Sequence, residues 1–104
     1  MMLDNLPLYY DMDGLATGAE TWFDLIKNNK NILHMESANG HHISTILVGL
    51  ASPMGEGKIN IFETIAFDQC GKDVEVKRCD TPAEASYWHK SLVKKYKGVK
   101  NEIN

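Results

Sequence analysis

Cysteine, proline and surplus basic charge are all in short supply in this sequence, and each shortage closes off a class of function. The 104 residues include two cysteines and three prolines, and Lys+Arg 11 stand against Asp+Glu 14 for a formal net charge of −3. Proteins that grip duplex nucleic acid usually carry a basic surface, because phosphate contacts dominate their affinity; non-specific DNA or RNA binding is not expected here. Two thiols, Cys70 and Cys79, are too few for a disulfide scaffold. No apolar run approaches the roughly 20 residues of a membrane-crossing helix. An early acid, Asp4, stands where a secretory leader would begin its apolar stretch. The expectation is an intracellular chain with reduced thiols and no membrane anchor.

What is present suits one globular unit. The content is 43% apolar and 24% charged, ordinary for a folded domain, and a chain this long buries roughly two-thirds of its unfolded surface. A single α+β domain over residues 1–104 follows, with an ordered core at about 7–98 and a frayed C-terminal tail. Neither repeats nor linkers interrupt it.

Local signals give the order of elements. Leu8-Tyr9-Tyr10 reads as a short strand stopped by the turn Asp11-Met12-Asp13-Gly14. Thr17-Gly18-Ala19-Glu20 has the form of a capping box, and Ala19, Trp22, Phe23 and Ile26 share the face of the helix behind it. Residues 32–37 and 43–50 read as strands joined around Asn39-Gly40, a strong hairpin signal; this register sets Glu36 across from Ile43 and His34 across from Thr45. Residues 59–67 form the clearest strand, with Ile59, Ile61, Ile65 and Phe67 on one face and Glu63 as its polar exception. A strand over 74–79 follows. Thr81-Pro82-Ala83-Glu84 then opens a helix to about Lys97, with Thr as N-cap and Pro where its missing N–H costs nothing. Ala85, Trp88, Leu92 and Tyr96 are expected inward. The fold class is α+β: an antiparallel four- to five-stranded meander with one helix before and one after the main strands, packed on one face.

Several residues invite chemistry, and each has a plainer account. Asp11 and Asp13 look like the nucleophile motif of haloacid-dehalogenase-type phosphatases, but the alternating βαβ pattern those enzymes need is missing. The same acids fit a calcium loop poorly, since Gly14 comes too early. His41 and His42 are adjacent on a strand and point to opposite faces, so no metal site is assigned, and no cofactor. The thiols sit too far apart to bridge if the last two strands pair about 68–72. Lys90, Lys94, Lys95, Lys97 and Lys100 complement the dipole of the last helix; an RNA or acidic-protein contact is the alternative. Glu63, in an apolar face, is costly unless paired. Arg78 is the expected partner in a buried structural ion pair, with an edge position in solvent or a functional polar site as the other readings.

Tyr9-Tyr10-Asp11 with Gly14, Trp22, Ser44-Thr45-Ile46 with Gly49-Leu50, Ile61-Phe62-Glu63-Thr64 with Phe67, and Arg78 before Thr81, Glu84-Ala85 and His89 occur in that order. Together they resemble a family of short proteins of no assigned activity encoded by phages, prophages and plasmids. The likeness spans about residues 7–90. Leu47 and Ala51 depart from it, standing where the family carries Trp and Asp. The resemblance implies a mobile-element product of the bacterial cytoplasm.

The expected function is a non-enzymatic accessory protein, monomer or homodimer, that binds a host or phage protein. One form of this would be an inhibitor of antiviral defence of the anti-CRISPR kind. Recognition is expected at the 11–14 turn (Asp11, Asp13), the 39–42 hairpin tip (Asn39, His41, His42) and the 52–58 loop (Glu56). The alternatives are a small-molecule binder or enzyme with a polar pocket of Thr45, Glu63, Arg78 and His89, and a structural homodimer.

Overall fold

Asn39 and Gly40 take φ of 52° and 83°, the left-handed pair that a two-residue hairpin turn demands, and the main sheet grows from that turn. The computed structural model describes residues 9–50 and 60–98. β3 (Ile32–Ala38) and β4 (His41–Leu47) pair with Glu36 opposite Ile43 and His34 opposite Thr45, as the turn chemistry predicts. β5 (Phe62–Phe67) and β6 (Asp73–Cys79) complete an antiparallel meander in the order β3-β4-β5-β6. Ile59 lies outside the described residues.

A second, two-stranded sheet precedes the first. β1 (Tyr9–Tyr10) pairs with β2 (Ala16–Thr17), and the following helix α1 spans Ala19–Lys27. The expected capping box does not form: Thr17 is in β2, and the N-cap is Gly18, with no side-chain cap. Thr17 cannot serve both the strand and the helix end, and strand pairing prevails. Leu25 packs on the core, but no residue of α1 is fully buried.

The same five-residue turn occurs twice. In 11–15 and again in 68–72 the first Asp carboxylate accepts two backbone N–H groups, from Asp13 and Leu15 in one and from Cys70 and Lys72 in the other, at 2.9–3.0 Å. The sequence pattern is Asp-x-x-Gly-x in both, and the carboxylate takes over backbone donors that a turn would otherwise leave to water.

α2 (Pro82–Lys97) begins as its sequence specifies, with the Thr81 hydroxyl accepting the Glu84 N–H at 3.1 Å. It lies along one face of the meander. Ala85, His89, Leu92 and Val93 are its buried residues, while Trp88 and Tyr96 are half-buried. The sheet side chains beneath it are Ile43, Thr45 and Leu47 of β4 and Phe62, Thr64 and Ala66 of β5. Burial of Phe62, Leu47 or Ile43 contributes roughly 1.5–3 kcal/mol each.

This corrects the expected face of β5. Ile65 and Phe67, with Glu63, point away from α2 and are half-buried, whereas Phe62, Thr64 and Ala66 are buried under it. Thr64 and Ala66 are the small side chains of that face and stand beside the larger Phe62, Ile43 and Leu47. Ile61 is buried but precedes the strand.

Gly49 joins the two sheets. Its carbonyl accepts the Tyr10 N–H at 2.9 Å, its φ is +75°, and a Cβ there would lie 2.5 Å from the Trp22 indole nitrogen. That nitrogen donates to the Val48 carbonyl at 3.0 Å, so α1 hangs from the end of β4 by its tryptophan.

Candidate functional site

Four polar side chains meet between the sheet and α2, one from each of four elements. Thr64 of β5 and Thr45 of β4 are cross-strand neighbours, and their hydroxyls lie 2.7 Å apart. Thr45 Oγ1 is 2.8 Å from His89 Nδ1 of α2, and His89 Nε2 is 2.8 Å from Glu36 Oε1 of β3. A carboxylate only accepts hydrogen bonds, so Nε2 donates to Glu36. In the neutral ring Nδ1 then accepts from the Thr45 hydroxyl, which accepts in turn from Thr64. With the ring in that neutral form, the carboxylate sets the direction of the whole chain.

Burial separates the two ends. Thr45, Thr64 and His89 are 0%, 1% and 3% exposed, while the Glu36 side chain is 48% exposed. Hydroxyl, imidazole and carboxylate follow in the order that nucleophilic catalysis uses, yet a substrate cannot reach a hydroxyl with no exposed surface. The group presented to a ligand is the carboxylate of Glu36, oriented by His89. It opens on a groove of about 470 Å³ lined by Lys90, Val93, Lys94, Lys97 and Gly98. His34 stacks beside this chain, its ring 4.9 Å from that of His89.

The expected pocket of Thr45, Glu63, Arg78 and His89 does not assemble as one. Thr45 and His89 meet under α2, but Glu63 and Arg78 lie on the opposite face of the sheet, a consequence of strict alternation along β5 and β6. There Arg78 Nε donates to Glu63 Oε2 at 2.9 Å, with side chains 60% and 14% exposed. Of the three readings of Glu63, the ion pair is the one that forms, at the surface rather than in the core.

The loop residues also part company. The Asp11 carboxylate is taken up by its own turn and Asp13 is exposed. This turn sits by the start of α2, since Gly14 borders Pro82. The 39–42 tip sits by its far end, where the His41 ring lies 4.4 Å from Tyr96. A helix of 16 residues separates them by about 24 Å. His42 faces the other way, toward Phe67, and Asn39 is part of the tip itself. Glu56 and the 52–58 loop lie outside the described residues.

Cys79 packs in the core, its thiol donating to the Thr81 carbonyl at 3.6 Å. Burial, then the nearby Glu84, pushes its pKa up to about 11, which keeps it a thiol rather than a nucleophilic thiolate. Cys70 is exposed in the 68–72 turn. Among the described residues no group of His, Cys, Asp and Glu is arranged to hold a metal ion.

Glu36 and Thr64 are the members of the chain that sequence reasoning missed. The hairpin register already put Glu36 two residues from His34 on one face of β3. Adding His89 and Val93 to the expected inward stripe of Ala85, Trp88, Leu92 and Tyr96 would have turned His89 toward it.

In comparisons with known proteins, no family model, no curated protein and no solved structure matches this chain.

Proposed function

We propose that this protein is a binding module that docks on a partner protein through the open face of its main sheet. The observation that carries this is the apolar character of the face α2 leaves uncovered. Met35, Val74 and Val76 are 52%, 47% and 39% exposed, and half-buried Ile46, Ile65 and Phe67 lie between them. The patch runs across all four strands, with Ser44 of β4 as the polar residue between Met35 and Ile65, and is rimmed by the Glu63–Arg78 pair and His42. Folded monomers rarely show a contiguous apolar patch beyond a few hundred Å² unless something binds it.

The resemblance to phage, prophage and plasmid proteins supplies the setting: a mobile-element product acting on a host protein of the bacterial cytoplasm, with an antiviral defence component as the first target to try. The buried hydroxyl of the Thr45–His89–Glu36 chain supports a binding role over catalysis.

The test compares tagged wild-type protein with the M35E/V76E variant as bait in a bacterial lysate. Both sites are exposed, so the variant should fold. We expect the wild type to retain one host protein stoichiometrically and the variant to lose it. Retention by the variant would remove the open face from consideration. A wild-type dimer in sedimentation that the variant breaks would give the face to a second copy of the chain instead.

A further inference from the structure

The free edge of β3 and the lysines that overhang it form a second surface, which does not depend on the open face. β3 ends the strand order and pairs only with β4. Along Ile32–Ala38 no backbone hydrogen bond is made on the outer side among the described residues. Such an edge is a template for another extended chain, and proteins usually blunt it with Lys, Pro or a bulge. β6, the other edge, carries Lys77 and Arg78. β3 has no Lys, Arg or Pro, and its one irregularity lies at its start, between Ile32 and His34.

α2 runs alongside β3 in the same direction. His34 meets Ser86 at 3.4 Å, Glu36 meets His89 at 2.8 Å, and Ala38 packs in the cluster with Leu92 and Val93. Lys90, Lys94 and Lys97 therefore stand in a row along the edge, facing the groove floored by Val93. Lys95, on the other side of the helix, is paired with Glu75 at 2.6 Å. Among the described residues Lys90, Lys94 and Lys97 form no ion pair, and Glu36 is the only acid that lines their groove. Three lysines against one glutamate leave two positive charges in excess.

We infer that β3 accepts an acidic extended segment of a partner protein as a fifth strand, its carboxylates lying under Lys90, Lys94 and Lys97. The spacing agrees. Same-face side chains of a strand recur about every 6.6–6.8 Å, while Lys90 and Lys94, four apart, rise about 6 Å and Lys94 and Lys97, three apart, about 4.5 Å, a mismatch that flexible lysine side chains absorb. The edge supplies backbone hydrogen bonds and the lysines select for charge, the two parts of strand-addition recognition. A single-stranded nucleic acid is the poorer fit, because its backbone does not complete a sheet edge.

The test is a titration of the full chain, labelled for amide NMR at low salt, with a blocked peptide alternating glutamate and valine. A lysine–valine peptide and a single-stranded RNA oligonucleotide serve as comparisons. We expect the acidic peptide alone to bind, with shifts and amide protection concentrated in Ile32–Ala38, and K90E/K94E to weaken it by about tenfold or more. A V74E/V76E variant, which alters the open face on β6 alone, should bind the peptide as wild type does, which separates this inference from the open-face reading. Equal binding of the basic peptide, tighter binding of RNA, shifts centred on β6, or undiminished binding by a folded K90E/K94E would each overturn it.

Discussion

His89 shows how much a single buried side chain can organise. Both ring nitrogens are engaged, one by Thr45 and one by Glu36, so three strands and a helix share one polar chain. Replacing Thr45 with Val keeps the volume but leaves His89 Nδ1 and the Thr64 hydroxyl without their partner. An unsatisfied buried group costs about 1–3 kcal/mol, and T45V should lower unfolding stability in urea by that order. A denaturation midpoint unchanged from wild type would show that the chain adds nothing to stability. At this scale the sequence was only partly legible. Pairing of Thr45 with His34 followed from the Asn39-Gly40 turn, but Asp11 misled, because a carboxylate that looks available for binding can be occupied by its own turn. The second Asp-x-x-Gly-x, at Asp68, points to the same conclusion in the sequence itself.

Elements were more legible where the signal was local. The Thr81-Pro82-Ala83-Glu84 start formed as read, while the matching signal at Thr17 yielded to pairing between β1 and β2. Face assignment in β5 failed because alternation fits either side of a strand, and the choice depends on which side a distant helix covers. β6 and α2 are also tied by Glu75, which accepts from Lys95 Nζ at 2.6 Å and Tyr96 Oη at 2.8 Å. These donors, Lys95 first, hold its carboxyl below the ordinary Glu value of 4.5. Because the folded state binds this proton more weakly, the stabilisation is complete above the ordinary value and is lost as pH falls through the lower, folded one. E75Q should therefore flatten the acid side of the stability–pH profile, and because Glu75 also raises the Lys95 value and, after burial, that of Tyr96, it should soften the alkaline fall as well. Parallel acid limbs for E75Q and wild type would contradict this.

At the scale of the whole molecule, the meander order was legible because antiparallel neighbours follow one another in sequence. The two surfaces were not, since an uncovered sheet face and a free edge are defined by what fails to pack on them. One property of this arrangement reaches into how the protein is made. α2 follows all four strands it covers, so during synthesis the inner surface of Ile43, Leu47, Phe62 and Ala66 emerges first and waits for its lid. At ribosomal rates α2 needs on the order of a second to follow, long compared with the microseconds in which hairpins form. A chain ending after Cys79 should accordingly remain unfolded or aggregate, as circular dichroism and light scattering would show, whereas a soluble, folded product would mean that the sheet stands without its helix. In the cell the interval before α2 arrives is the moment at which this small protein is most exposed to chaperones, proteases and its own newly made copies.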